Sequence, residues 1–415
     1  MKKQFLKDEQ YIEQLRNNTL TRNWLKLGIM SLGFAGVYSV ILVVLRTSQL
    51  SHFFPNPEIF KSALIIHINL SVLVWLLSIT ASIWSYGMSF PQKRESSIFF
   101  LDSRFRGNDI VVLYLNIYPK LAFLGTILIA ISPIAGQNPV MNNYIPMLEN
   151  IIFVLGLTLF GVATLLFAVN TLYLSDWQNW QSLMNFAILS TAIMFILTWV
   201  CFTCSYLQLQ CIIDVIPIEI EFYYELLFWS GGHLLQFIYT QILMTIWIIL
   251  FEVWLGKKLQ FQRFYLFLLC LNFIFSLFIV AGHFFYDIID GEFKEYYMSH
   301  MKYFGGFAPV ISLVVMLYEI LMSFRQRLKS SKIIIDSRLC RNDFKTCTKA
   351  TIICSSILFL FGGLTAFGIA GINIVTPAHY HGSIIGISIA CMGFTYILIY
   401  PKKTFNLQLK STKIA

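Results

Sequence analysis

The sequence predicts an all-α membrane protein: a bundle of about ten transmembrane helices with both ends of the chain in the cytoplasm. Three observations predict this fold, and the first is composition. Hydrophobic residues make up 57% of the 415 residues and charged residues only 12%, with a mean hydropathy of +0.69. That composition leaves too little polar surface for a soluble protein of this length. The others are the long apolar stretches and the charges between them.

Ten stretches are apolar for long enough to cross the hydrocarbon core, which takes about 20 helical residues. The predicted spans lie at about residues 25–45, 61–86, 113–133, 149–173, 182–204, 223–255, 263–286, 302–324, 350–373 and 378–400. Residues 1–24 are polar, so we expect a cytoplasmic N-terminal segment there and no cleavable signal peptide. Residues 25–400 are predicted to form a single transmembrane domain, and residues 401–415 a cytoplasmic tail.

The charges in the loops sort by side of the membrane. With the N-terminus in the cytoplasm, the cytoplasmic loops hold most basic residues, including Lys257 and Lys258, whereas outer loops are acidic, as at Asp287 and Glu292. This distribution follows the positive-inside rule. The net charge of +9 therefore reflects basic cytoplasmic loops, and we expect no nucleic-acid partner. The predicted location is the inner membrane of a bacterium, as a multi-pass protein.

Two predicted cytoplasmic loops share a short pattern. The stretch SIFFLDSRFRGNDI at 97–110 is similar to SKIIIDSRLCRNDF at 331–344. Both resemble peptides of mobile palindromic elements found inserted in reading frames of some intracellular bacteria. We expect insertions that are tolerated because the loops are exposed, and a binding loop is the alternative.

The eight cysteines are scattered along the chain. Cys201 and Cys204 form one C-x-x-C, and no second pair stands at a spacing typical of zinc sites. We expect thiols in the core or facing lipid. A disulfide between Cys204 and Cys211 is the alternative if they lie in an outer loop.

All seven histidines fall in the outer half of the predicted bundle. In chain order they are His52, His67, His233, His283, His300, His379 and His381. Ionisable groups inside a membrane are costly and usually functional. A single histidine near a helix end is more often an interfacial residue, and this reading applies best to His52 and His300. The other five lie on predicted spans 2, 6, 7 and 10.

His379 and His381 stand two residues apart in the stretch PAHYHGSII at the start of span 10. Successive residues on a helix turn by about 100°, so these two side chains point about 200° apart. They are therefore poorly placed to share one metal ion and well placed to serve two centres on either side of the helix. Imidazole is the usual axial ligand of haem iron.

With histidines on these spans, the chain resembles subunit I of the haem–copper oxidases, including the cbb3-type branch. The stretches GGHLLQFIYT and AHYHGSIIGISIACMGFTYILIYP are similar to those of short bacterial members. The resemblance covers most of spans 1 to 10 and implies a haem–copper oxidase subunit I-like fold. It implies that His67 and His381 bind a low-spin haem and that His379 binds a high-spin haem.

The resemblance also implies a metal site facing the high-spin haem. His233 and His283 would bind copper there, with His300 as a third ligand. Tyr239 and Tyr286 are the candidates for a redox-active phenol. The chain departs from the family motif H-P-E-V-Y on helix VI, because His233 is followed by Leu-Leu-Gln-Phe.

The implied function is that of a respiratory catalytic subunit, a cytochrome c oxidase-like oxidoreductase that passes electrons between two haems and reduces oxygen. The implied partners are the lipid bilayer, other oxidase subunits and an electron donor such as a c-type cytochrome or quinol. Two alternatives stay open. One is a haem-binding family member without an intact copper site, acting in electron transfer or oxidase assembly. The other is an unrelated transporter whose histidines line an outer vestibule.

Overall fold

The computed structural model describes residues 15, 17–48, 56–87, 114–136, 138–329, 339–369 and 374–399. His52, the tail at 401–415, most of the N-terminal segment and the loop pattern at 97–110 lie outside them. Within the described residues, ten helical spans are long and apolar enough to cross a membrane. The ten predicted spans are thus confirmed as helices, and the chain fits a multi-pass membrane protein.

Twelve α-helices, numbered in chain order, build these ten spans. They are α1 (Thr19–Arg46), α2 (Pro57–Ile68), α3 (Trp75–Gly87), α4 (Ile117–Ile131), α5 (Ile151–Leu174), α6 (Leu183–Ile213), α7 (Ile220–Leu255), α8 (Gln262–Phe285), α9 (Gly291–His300), α10 (Phe307–Lys329), α11 (Leu339–Ala366) and α12 (Val375–Ile399). A π-helical turn, Asn69–Val74, joins α2 to α3, and Met301–Gly305 joins α9 to α10 in the same way. Two short strands, β1 (Pro139–Val140) and β2 (Met147–Leu148), pair antiparallel between α4 and α5.

Asparagine side chains begin three of the helices. Asn18, Asn56 and Asn150 precede α1, α2 and α5, and each accepts a hydrogen bond from a backbone N–H of the first turn at 2.8–2.9 Å. An asparagine at this position satisfies an amide that has no partner within the helix. Pro57, the first residue of α2, adds a backbone angle already suited to a helix.

The described chain divides into two compact units. The first unit contains Asn17–Tyr239 and Cys270–Gly305, and the second contains Thr240–Leu269 and the described residues from Gly306 onward. Both α7 and α8 contribute residues to each unit.

In the first unit, α1 packs against α2, α3 and α4, and α4 packs closely against α5. The α4–α5 contact depends on two glycines: a Cβ atom on Gly125 would lie 2.6 Å from the carbonyl oxygen of Gly156. A Cβ on Gly156 would lie 2.8 Å from that of Gly125. Small residues let helix backbones approach in this way where lipid gives no hydrophobic drive for association.

Two parts of the first unit differ from the sequence expectation. The eighth span begins at Gly291, ahead of the expected residue 302, because the polar helix α9 leads into it. Helix α6 extends to Ile213, so Cys204 and Cys211 both lie on it, about 10 Å apart along the axis. That separation is too long for a disulfide. The seven cysteines whose side chains the structure describes are free thiols.

In the second unit, α11 and α12 form the closest helix pair. Their backbones meet at glycines: a Cβ on Gly382 would lie 2.6 Å from the Cα of Gly362. The Ser355 hydroxyl on α11 donates to the Gly386 carbonyl at 2.7 Å and accepts from the Trp247 indole of α7 at 2.9 Å. These polar contacts satisfy buried groups for which hydrocarbon has no partner.

The loop between α7 and α8 is held by two carboxylates. Glu319 of α10 is only 2% exposed and accepts from the backbone N–H groups of Gln260 (2.7 Å) and Phe261 (3.1 Å). Glu252 accepts from the Gln262 side chain at 2.8 Å. Because an anion beside a helix N-terminus also interacts favourably with the helix dipole, Glu319 secures the start of α8.

We expect Glu319→Ala to lower stability by about 2–3 kcal/mol, because it leaves two backbone N–H groups without their charged acceptor. Thermal unfolding in detergent, followed by circular dichroism, measures the change. Glu58→Ala is the matched control, since Glu58 lies exposed in the first turn of α2. Equal losses in the two variants would contradict the structural role of Glu319.

Candidate functional site

Among the described histidines of the first unit, His233 is the most deeply buried, at 2% exposure. Its Nδ1 lies 2.7 Å from the carbonyl oxygen of Trp229, one turn earlier on α7. A carbonyl oxygen only accepts, so Nδ1 carries the proton and Nε2 keeps its lone pair. The Tyr144 phenol, 2.9 Å from Nε2, donates to it. Both ring nitrogens of His233 are therefore satisfied by protein groups.

Tyr144 reaches His233 from the turn between β1 and β2. The Asn142 side chain accepts from the backbone N–H groups of Tyr144 (3.1 Å) and Ile145 (2.8 Å), which fixes the turn. The Tyr144 ring lies directly on Gly232: a Cβ there would stand 2.2 Å from the ring carbon Cγ. Gly232 thus provides the space that brings the phenol to the imidazole.

His283, near the end of α8, is bonded in the same manner. Its Nδ1 lies 3.1 Å from Oε1 of Gln208 on α6, and its Nε2 lies 2.8 Å from the Ser230 hydroxyl on α7. The amide oxygen accepts from Nδ1–H, so the Ser230 hydroxyl donates to Nε2. His283 therefore links α6, α7 and α8 through side chains.

Tyr297 of α9 packs against both of these histidines. Its ring centroid lies 5.5 Å from that of His233 and 6.4 Å from that of His283. Its hydroxyl lies against Gly282, where a Cβ would approach to 2.5 Å. The structure thus brings His233 and His283 next to one buried aromatic ring.

His300, the third predicted metal ligand, has different surroundings. Its Nε2 donates to the carbonyl oxygen of Phe275 at 2.9 Å, and its ring packs 5.6 Å from Phe237 and 5.0 Å from Phe304. Across the part of the chain that the structure describes, no group of three or more His, Cys, Asp or Glu side chains is arranged to hold a metal ion.

The two predicted phenols lie apart from the hydrogen bonds of His233. Tyr239 is buried within α7, six residues after His233, so the two side chains leave the helix on different faces. Tyr286 follows α8 and packs 5.4 Å from Tyr296 between ring centroids. The phenol beside His233 is Tyr144, which sequence reasoning missed.

His67 lies half-buried on α2, just before the π-helical turn. Its Nδ1 donates to the carbonyl oxygen of Ala35 on α1 at 2.9 Å, so Nε2 keeps its lone pair. Its own carbonyl accepts from the Ser71 hydroxyl at 2.6 Å, and buried Asn69 donates to the Pro146 carbonyl at 2.8 Å. Such π-helical turns occur frequently at functional sites.

His379 and His381 lie in the second unit, on different faces of α12. The half-buried His379 donates from Nδ1 to the Gly362 carbonyl of α11 at 2.7 Å. His381 is exposed and donates from Nδ1 to the Pro377 carbonyl of its own helix at 2.7 Å. The expectation that the two side chains point to different sides is thus confirmed.

Five of the six described histidines share one protonation pattern. In His67, His233, His283, His379 and His381, Nδ1–H is held by an oxygen, and the lone pair stays on Nε2. Histidines that bind metals or haem iron through Nε2 are usually held in this way. In His233 and His381 the acceptor lies one turn earlier on the same helix, which is also common in structural histidines. The bonds of His67 and His379 run to another helix and fix the ring more strictly.

The comparisons with known proteins identify relatives and no named activity. The chain is 57% identical over 415 residues to the uncharacterized protein RP382 of Rickettsia prowazekii, covering 96% of this chain and 81% of that protein. It is 24% identical over 381 residues to an uncharacterized protein of Aquifex aeolicus, covering 91% of this chain and 83% of that one. No family model matches the chain.

We expect Tyr144→Phe to lower stability by about 1–3 kcal/mol, because Nε2 of buried His233 loses its donor. The change is measured as a shift of the thermal unfolding midpoint in detergent. Tyr173→Phe, at a side chain that is 76% exposed, is the control. If both variants unfold at the same temperature as the unmodified protein, the hydrogen bond between Tyr144 and His233 does not contribute to stability.

We expect Gly362→Ala to disrupt the α11–α12 contact, because its Cβ would stand 2.2 Å from the Ser383 nitrogen. Backbone atoms cannot move aside at little cost, so we expect the free energy of unfolding to fall by about 1–3 kcal/mol. Gly363→Ala is a matched control on the next residue, where a Cβ meets nothing within 4 Å. Unfolding midpoints of the two variants provide the measurement, and a destabilised Gly363 variant beside an unaffected Gly362 variant would refute this packing.

Proposed function

The chain belongs to the same family as the uncharacterized Rickettsia prowazekii protein, and we propose that this family binds haem in the membrane through histidines and passes electrons. The protein is then a relative of subunit I of the haem–copper oxidases that works in electron transfer or oxidase assembly. Two hydrogen bonds support this proposal most directly. His67 donates Nδ1–H to a carbonyl of α1 at 2.9 Å, and His379 donates Nδ1–H to a carbonyl of α11 at 2.7 Å.

The donor chemistry of the described residues fits haem. Imidazole is a common axial ligand, and it binds iron through a nitrogen that has a lone pair. Bound haem supplies one-electron chemistry, and the protein determines the ligands, the burial and the hydrogen bonds. In this chain the Ala35 carbonyl orients His67, and the Gly362 carbonyl orients His379. His381 is the third candidate ligand, and its pairing with His67 stays a prediction of the resemblance.

The donor set fits copper poorly. Nε2 of His233 accepts from Tyr144, and Nε2 of His283 accepts from Ser230, so a hydroxyl group stands where a metal ion would bind each. His300 donates its Nε2–H to a backbone carbonyl. These contacts favour the alternative in which the protein binds haem and has no copper site.

Oxygen reduction at an oxidase site is the second candidate function. The observation that favours it is the packing of His233 and His283 on one ring, that of Tyr297. In that case both imidazoles exchange their hydroxyl partners for a metal ion. Under either function the protein is predicted to work with other oxidase subunits and a c-type cytochrome or quinol.

The proposed location is the inner membrane of a bacterium, with both termini in the cytoplasm. The described residues contain ten spans, and an even number of crossings would return the chain to the side on which it began. Basic Lys257 and Lys258 follow α7, whereas acidic Asp287 and Asp290 follow α8 at the opposite end of the next span. This alternation agrees with the positive-inside rule.

The direct test is a reduced-minus-oxidised spectrum of the purified protein together with metal analysis. We expect haem absorption and iron without matching copper. Copper in a fixed ratio to haem would support the oxidase function instead. A protein without haem would overturn both proposals and leave the transporter alternative.

We expect His379→Ala and His381→Ala to change different parts of the haem spectrum, because the two side chains lie on different faces of α12. His67→Ala should also weaken haem absorption. His300→Ala is the control, because Nε2 of His300 already donates to the Phe275 carbonyl. The spectra are compared at equal protein concentration. Identical spectra for the unmodified protein and the three ligand variants would refute the ligand assignment.

A further inference from the structure

A cavity of about 470 Å³ opens along α9, at the head of the eighth span and within the first unit. One stripe of that helix lines it, through residues spaced three or four apart: Glu292, Glu295, Tyr296, Ser299 and His300. Tyr286, which follows α8, contributes to the lining. The volume is within the range of small-molecule sites.

From these linings we propose that the cavity binds a small organic ammonium ion that carries N–H donors. This site is separate from the haem ligands, so the proposal does not depend on the proposed function.

The charge of the lining favours a cation. Both charged side chains in the lining are carboxylates, Glu292 and Glu295, and they lie one turn apart on the same face of α9. The nearby Lys294 is on another face, where it forms an ion pair with Glu225 and lies 4.6 Å from the Trp229 ring centroid. Its charge is thus engaged away from the cavity. Two carboxylates in one recess repel anions and attract cations.

His300 adds a hydrogen-bond acceptor to the cavity wall. It is only 8% exposed, and its Nε2–H is bonded to the Phe275 carbonyl, so Nδ1 keeps its lone pair. An acceptor in the wall of a recess pairs with a ligand that donates a hydrogen bond. This requirement favours a primary or secondary ammonium over a quaternary one, which has no N–H.

Aromatic rings form the remaining wall. Tyr296 donates its hydroxyl to the Phe278 carbonyl at 2.7 Å, so its ring is held in place, and it packs 5.4 Å from Tyr286. The faces of such rings attract cations, and a fixed ring loses little entropy when a ligand binds. A helix face exposed to water would explain the two carboxylates alone. It does not explain the tyrosine rings that are held around the same space.

The test is calorimetric titration of the full chain in lipid nanodiscs with 1,4-diaminobutane, corrected with empty nanodiscs. We expect saturable binding of the diamine and none of butane-1,4-diol, a neutral compound with the same carbon chain. The double variant Glu292→Gln, Glu295→Gln should weaken binding by at least about tenfold, because it removes the charge and keeps the shape. Tyr286→Leu should weaken it by about threefold, through loss of one ring.

Glu58→Gln, which neutralises an exposed carboxylate on α2, is the matched control and should leave the affinity unchanged. Three results would overturn the proposal: no binding by the unmodified protein, equal binding of the diol, or equal binding by the double variant. Displacement of the diamine by an equal concentration of magnesium chloride would also overturn it, since the carboxylates would then attract any cation. None of these results bears on the haem spectrum.

Discussion

A polar group within a span of this protein is costly unless it forms a hydrogen bond inside the chain, because hydrocarbon provides no partner. The histidines show how the fold meets this constraint. His67, His379 and His233 each donate Nδ1–H to a backbone carbonyl. A carbonyl oxygen has two lone pairs, so a helix carbonyl can accept this second hydrogen bond and keep its backbone hydrogen bond within the helix. The same bond that removes the cost of a buried N–H also fixes which ring nitrogen keeps a lone pair.

Close helix contacts follow from the same constraint. A side chain reaches a carbonyl on a neighbouring helix only where the two backbones lie near each other, and glycine allows that approach. His379 donates to the carbonyl of Gly362, the residue whose missing Cβ lets α11 meet Gly382 of α12. Gly232 plays a related part for the Tyr144 ring. These glycines therefore position polar contacts and also let the helices pack closely.

The spans could be predicted from sequence because hydropathy over about 20 residues is an additive property of the chain. Helix α9 was missed because Gly291–His300 mixes charged and aromatic residues, so its average hydropathy does not identify it as part of a span. The opposite directions of His379 and His381 were predictable from helical geometry alone. The partners of His233 were not, because Tyr144 lies 89 residues away, in a turn whose position depends on tertiary packing. Gly232, beside His233, was a signal that a ring could approach, but it did not say which ring.

The hydroxyl partners of His233 and His283 decide what this part of the protein can do. A phenol and a serine hydroxyl each donate to an imidazole nitrogen, so each imidazole is held neutral by a neutral group. A metal ion at the same nitrogens would bring positive charge into a buried region in which the nearest groups are rings and hydroxyls. Carboxylates or further lone pairs would have to compensate that charge, and among the described residues no cluster of three such ligands supplies them. The hydrogen-bonded arrangement therefore makes His233 and His283 a neutral link between α6, α7, α8 and the Tyr144 turn.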